Sequence, residues 1–202
     1  MRGENDTLAV AKSDLGRFER GFKSWCENTA VVTRKKLGLY PSDPLPPREL
    51  AEHMGVKIMN LDEVGLNPLS VTYLSSAQGD EWSAVTVYVS GKKIIVVNPR
   101  HSDARQASNI MHELAHIIRG HEPSKVEHLH GYALRDFNQL QENEANWLAA
   151  CLLLPRPALL YSGYRNQSID EAVVRYGVSK SLYKYRTVVS GVSRQLRAAR
   201  PF

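Results

Sequence analysis

Apolar residues recur at near-helical spacing in FERGFKSWCENTAVVTRKKLGL, at Phe18, Phe22, Trp25 and Val32, and this period predicts a helix with one face on a core. Four prolines within PSDPLPP then break the chain into a connector. ELAEHMGV, residues 49 to 56, reads as a short helix. VKIMNL behind it alternates as a strand does, which leaves no recognition helix for a helix-turn-helix at that place. SVTYL, WSAVTVYV and KIIVVN are further strand-like runs, the last two joined by a short glycine-containing turn, so a small, mostly antiparallel sheet is expected.

After Pro99 the period becomes helical from about residue 103 to Arg119, with Ser102 or Asp103 as the cap and Gly120 placed for a left-handed C-cap. Residues 121 to 137 are rich in histidine and charge and read as a loop. A second amphipathic helix is expected from about Asn138 to Leu154, stopped by Pro155 and Pro157. SIDEAVVRYGVSKSLYKYRTVV then reads as a helix, a Gly-Val-Ser turn and a helix capped by Ser179, which is helix-turn-helix grammar.

With 202 residues, 43% hydrophobic and 23% charged, the chain suits one ordinary globular domain with a small appendage. It has no apolar run of signal-peptide or membrane-spanning length, so a cytoplasmic protein without membrane contact is expected. Cys26 and Cys151 are too few for a disulfide framework and read as buried thiols. The net charge of +5 is uneven: from Ala172 to Phe202 there are seven Lys/Arg residues and no acid. Such a tail suits nucleic acid, an acidic partner or simply a solvated face.

The sharpest chemical signal is NIMHELAHIIRGH, where His112, Glu113 and His116 form H-E-x-x-H. On a helix, residues i and i+4 share a face, so both imidazoles can hold one zinc ion. Glu113 is then offset to take a proton from a water that the ion activates. The alternative is a helix with two hydrogen-bonded core histidines. The metzincin pattern is excluded by register, because Arg119 stands where its glycine belongs and His121 directly follows Gly120; His121 is expected to be solvated or to complement the helix dipole.

For a third ligand the expectation is Glu144, 28 residues beyond His116. It shares a helix side with Leu140, Trp147, Leu148, Cys151 and Leu152, where a carboxylate needs a cation. Glu142 is expected to face away and be solvated. His128, His130 and Asp136 stay as alternative ligands or substrate-binding groups. Tyr132, Arg135, Tyr161 and Tyr164 are candidate oxyanion donors among which the sequence does not choose.

Taken in order, ELAEHMGVKIM with its following strands, HELAH on a helix, and ENEANWLAACLLLP resemble the ImmA/IrrE-type zinc metallopeptidases over roughly residues 25 to 160. The resemblance implies an α+β, zincin-like domain in which the sheet packs on the H-E-x-x-H helix and a second helix carries a ligand. It also implies one zinc per chain (manganese being an alternative) at His112, His116 and Glu144, with Glu113 as general base or acid. Leu148 stands where the family usually has Phe, and Trp147 where a polar residue is common, so the cleft wall is expected to differ.

The resemblance further implies regulatory proteolysis, the cleavage of an Xre-type helix-turn-helix repressor that derepresses stress-response or mobile-element genes. The competing expectation is a DNA-binding or repressor-binding regulator whose metal site is structural or inactive. In that case Lys180, Ser181, Lys184 and Tyr185 would face DNA, whereas a structural lid would bury Val174, Val178, Leu182 and Tyr185. The expected organisation is a flexible segment over 1–17, a metallopeptidase domain over 18–160 and a basic helix-turn-helix-like segment over 161–202.

Overall fold

The computed structural model describes residues 18–64, 83–89, 92–122, 125–129 and 132–199. The expected flexible segment 1–17, the SVTYL strand, the turn at 90–91 and His130 lie outside the described residues, as do the side chains of His128, Tyr132, Arg135 and Asp136.

Helix α1 (Phe22–Lys36) is followed by α2 (Pro47–His53), which begins in the proline run; Pro47 lies in its first turn, where no donor is lost. Strand β1 (Lys57–Asn60) and a 3-10 turn (Leu61–Val64) lead towards β2 (Ala84–Val89) and β3 (Lys92–Val97). Helix α3 (Asp103–Arg119) carries the histidine motif. It ends at Gly120 with φ 72°, and the His121 amide donates back to the His116 carbonyl at 3.1 Å. That six-to-one bond across a left-handed glycine folds the chain over the last helical turn.

The segment expected to be a loop instead contains β4 (Lys125–Leu129) and β5 (Tyr132–Asp136), which pair antiparallel with each other. β5 also pairs with β2, at Val87 with Leu134 and Tyr88 with Ala133. The open edge of β2 thus supplies pairing that local composition does not reveal. The five-stranded sheet runs β1-β3-β2-β5-β4, with only β1 and β3 parallel.

Helix α4 (Gln139–Leu153) starts at a capping box: Asn138 accepts from the Gln141 amide, and the Gln141 side chain accepts from the Asn138 amide. Helices α5 (Arg156–Tyr164), α6 (Ile169–Tyr176), α7 (Lys180–Val189) and α8 (Val192–Ala198) complete the described chain. α3 lies on β2 and β3, and α4 packs between α3 and α1 and touches α7. Ala115, Ala145 and Ala149 are fully buried, and such small side chains let helix axes approach closely.

Both cysteines are buried and unpaired. Ala172, Tyr176, Val178 and Leu182 of the C-terminal segment belong to the same core cluster as Met111 and Leu148, while Val174 is 82% exposed. Tyr185 is half-buried, and Ser181 and Lys184 are exposed. No helix among the described residues is long and apolar enough to cross a membrane.

Candidate metal centre

Residues 112 and 116 share one face of α3, and the structure sets their Nε2 atoms 3.1 Å apart. A carboxylate closes the triangle from α4. It belongs to Glu142, whose Oε2 lies 3.2 Å from His112 Nε2 and whose Oε1 lies 3.3 Å from His116 Nε2. All three ligand atoms fall within 4.8 Å of one another. Glu142 is therefore not a solvated residue on the far side of the helix, and Glu144 is not in this cluster.

Glu144 is buried, as its position in the apolar stripe predicts, but its compensating charge comes from elsewhere. Its Oε2 accepts from Arg119 Nε at 2.8 Å and lies 3.0 Å from His121 Nε2. Those bonds and charges hold its carboxyl below the usual range, against the opposing effect of burial. His121, expected to be solvated, has a side chain only 6% exposed, and its Nδ1 sits 2.9 Å from His116 Nδ1. The fold-back at Gly120 is what brings it there.

The outer nitrogens decide the polarity of the inner ones. His112 Nδ1 lies 2.9 Å from Asn146 Oδ1, an acceptor, so the imidazole proton sits on Nδ1 and the Nε2 lone pair faces the triangle. Asn146 follows Glu142 by four residues and shares its helix face. Phe137, just ahead of α4, stacks on the His116 ring with centroids 3.9 Å apart and an interplanar angle of 24°.

Two imidazole nitrogens and a carboxylate thus converge on one small space, an arrangement that a cation or a shared proton stabilises. Two ligands bound about 2.0–2.1 Å from one tetrahedral ion lie about 3.3 Å apart. The two Nε2 atoms at 3.1 Å, and the separate Glu142 oxygens at 3.2 Å from His112 and 3.3 Å from His116, lie near that spacing, and two imidazoles with one carboxylate form a donor set typical of catalytic zinc.

Without an ion, electrostatics concentrate a proton in the triangle. Burial opposes a charge on His112, but hydrogen bonding to Glu142 and the Glu113 and Glu142 charges outweigh it and raise its pKa. Burial and the neighbouring His112 and His121 lower that of His116 despite Glu142. Glu142 is also disfavoured as an anion by burial, yet its histidine hydrogen bonds bring its carboxyl down to about 2. A divalent ion bound among these groups would compete with protons for them.

Glu113 points away from the triangle towards the sheet. The Thr86 hydroxyl of β2 donates to its Oε2 at 2.5 Å. Burial raises the Glu113 pKa, with the His112 charge and the Thr86 bonds pulling the other way. A recess of about 120 Å³ opens beside these groups, lined by Thr86, Lys93, His116, Gly120, His121 and Phe137.

Trp147 does not form a wall of this recess. It packs edge-on against Phe18 and Tyr185 with Lys23 over its ring. Of the candidate oxyanion donors with described side chains, Tyr161 lies under Arg165 and Arg175, and Tyr164 accepts from Gln195 at 3.4 Å. Sequence reasoning missed Glu142, Asn146, Thr86, Phe137 and the inward role of His121. The i to i+4 spacing of Glu142 and Asn146 was the one legible signal for the first two.

No curated protein matches the chain. Among solved structures, a Mycobacterium tuberculosis transcriptional regulator is similar with a TM-score of 0.48 at 14% identity, covering 84% of this chain and 47% of that one. The chain thus spans about half the length of that protein. Residues 51–188 match the IrrE N-terminal-like domain of the Peptidase_M78 family. That match takes in well over half of the chain, both helices of the His112–His116–Glu142 group and the strands beneath them, so the protein belongs to this metallopeptidase family.

Proposed function

We propose that the protein is a zinc-dependent endopeptidase in which His112, His116 and Glu142 hold the ion and Glu113 moves the proton. The observation that carries this reading is the cluster itself: two imidazoles and a carboxylate whose ligand atoms lie within 4.8 Å of one another, with the His112 proton turned outward by Asn146. An ion bound there polarises a scissile carbonyl and makes a water more acidic. Glu113 is next to the first ligand, and Thr86 holds one of its oxygens, which orients the carboxylate. Its raised pKa suits a group that takes a proton from the attacking water and returns it to the leaving amine. The recess at His116 and Phe137 leaves room for a substrate side chain beside the reacting centre.

The substrate we propose is a cytoplasmic helix-turn-helix repressor of the Xre type, cut to relieve repression. Membership of the IrrE-like family and the ImmA/IrrE resemblance of the sequence support it. The test is co-expression with a small Xre-type repressor from the same genome, sought first beside the gene, together with metal analysis of the purified protein. A discrete cleavage product and about one zinc per chain are expected, with cleavage lost in His112→Ala and Glu113→Gln. Wild-type cleavage by either variant would refute the mechanism. A salt-dependent DNA complex with no proteolysis would favour a binding regulator instead.

A further inference from the structure

His116 Nδ1, His121 Nδ1 and Nε2, Glu144 Oε2 and Arg119 Nε lie in one line of contacts at 2.9, 3.0 and 2.8 Å. We propose that His121 and Glu144 are positioning residues for the metal: anchored by Arg119, they fix the proton of His116 on Nδ1 and so aim its Nε2 lone pair into the triangle. This inference rests on the reading of His112, His116 and Glu142 as metal ligands.

The argument is one of matching donors to acceptors. Arg119 Nε is only a donor and Glu144 Oε2 only an acceptor, so the carboxylate end has a fixed sense. Glu144 then requires a proton on His121 Nε2. In neutral His121 this leaves Nδ1 as an acceptor, and the facing His116 Nδ1 must donate. His116 Nε2 is thereby left unprotonated, as a metal ligand has to be. Reversing His116 would place two lone pairs or two protons face to face somewhere along a neutral chain.

Three structural features keep the chain in register. The left-handed Gly120 folds His121 back over the last turn of α3. Phe137 stacks on His116 and lies 6.2 Å from the His121 ring, which limits water access to their bond. The His121 and Glu144 side chains are only 6% and 7% exposed. The arrangement differs from the outer contact of His112, which ends at a neutral amide, so the two ligand histidines are oriented by different means. Outer partners of ligating histidines typically change metal affinity ten- to hundredfold.

The experiment compares zinc affinity by chelator competition in the wild type, His121→Leu, Glu144→Leu, Glu144→Gln, Glu142→Gln and His112→Ala, together with the visible spectrum of each cobalt-loaded form. His121→Leu and Glu144→Leu are expected to lose about ten- to hundredfold in affinity while keeping the wild-type cobalt spectrum, because the ligand set is intact. Glu144→Gln still offers His121 an acceptor and should lose less. Glu142→Gln should alter the spectrum.

Wild-type affinity in both leucine variants, with Glu142→Gln impaired, overturns the positioning role and leaves the metal reading intact. Wild-type affinity in Glu142→Gln and His112→Ala overturns both. A cobalt spectrum that changes in the Glu144 variants and not in Glu142→Gln makes Glu144 the ligand and also overturns the proposal. A further readout needs no variant: nitrogen NMR of the zinc-loaded wild type should show coupling across a hydrogen bond between His116 Nδ1 and His121 Nδ1, with His121 protonated on Nε2. Absence of that coupling refutes the relay even if the leucine variants fail to fold.

Discussion

Helix α4 delivers Glu142 and Asn146 to the metal centre from its first half, and its other end is held by two buried arginines. Arg34 is fully buried and donates from Nη2 to the Leu152 carbonyl at 2.8 Å, from Nε to the Asp43 carbonyl at 2.8 Å and from Nη1 to the Ala30 carbonyl at 3.1 Å. Arg186, 1% exposed, donates to the Leu154 carbonyl at 3.0 Å and pairs with Glu27. Both cations sit at the negative end of the helix dipole, where its last carbonyls lack helical partners. Burial lowers the Arg34 pKa to about 10, so it stays charged at neutral pH.

Replacing Arg34 with methionine fills most of the volume and removes every donor. The Ala30 carbonyl lies inside α1 and keeps its helical partner, so the carbonyls of Leu152 and Asp43 lose their close bonds and that of Leu153 a longer one at 3.5 Å. At about 1–3 kcal/mol for each of the two closely bonded buried acceptors left unpaired, the expected loss is about 2–6 kcal/mol. Relief from desolvating the guanidinium works towards the lower figure. Against a typical domain stability of about 5–15 kcal/mol this is a large fraction.

Urea unfolding of the metal-free protein measures it, with the midpoint falling at unchanged slope. Zinc affinity of the folded variant should be unchanged, because Glu142 lies ten residues, about 15 Å, along the helix from Leu152. A loss below about 0.5 kcal/mol would show that the α4 carbonyls find other partners and that Arg34 does not hold this end of the helix.

Glu113→Gln should keep zinc and lower repressor cleavage by about 10²- to 10⁴-fold, read by single-turnover kinetics; loss of zinc instead would make Glu113 a ligand. Gly120→Ala has open space around the new methyl but must hold φ near 72°, so it should lose about 1 kcal/mol in thermal unfolding and weaken zinc through His121. Gly163→Ala would drive its Cβ into the Leu196 side chain of α8; re-seating that side chain should lower stability by about 1–3 kcal/mol without changing zinc affinity. Leu148→Ala, at a fully buried site, should cost about 2–5 kcal/mol in the same unfolding assay.

The elements set by local chemistry were legible. α3 spans Asp103–Arg119 with its left-handed cap at Gly120, as the Pro99, Ser102 and glycine signals require. β1, β2 and β3 fall within the alternating runs, and Ser179 caps α7 by accepting from the Leu182 amide. What was not legible depends on partners distant in sequence. The pairing of β5 with β2 turns a polar, histidine-rich stretch into a hairpin. Val174 lies at a spacing that suits burial, yet no helix packs over it, and it is 82% exposed.

The Glu142 and Glu144 exchange shows where stripe reasoning loses its direction. A carboxylate buried among apolar residues does need a positive partner, and Glu144 has one in Arg119, with His121 as a second hydrogen-bond partner. The step from that need to a metal assumed that α4 has one inward face. From Ala145 onward every residue of α4 except Asn146 is buried, because α3, α1 and α7 pack against it from different directions. In a helix apolar almost all round, the hydrophobic stripe no longer says which neighbour a given position meets.

Positions 142 and 144 are about 200° apart around the axis, so they meet different surroundings. Glu142 is paired with Asn146 one turn later, facing His112, whereas Glu144 meets the end of α3 at Arg119 and His121. Glu142 thus lies beside the Nε2 atoms of both histidines, whereas Glu144 reaches only His116, through His121 behind its Nδ1 atom. A sequence with two acids in E-N-E therefore offers two chemically sensible candidate ligands, and what separates them is the phase of α4 against α3, which brings Glu142 and not Glu144 to the two histidines.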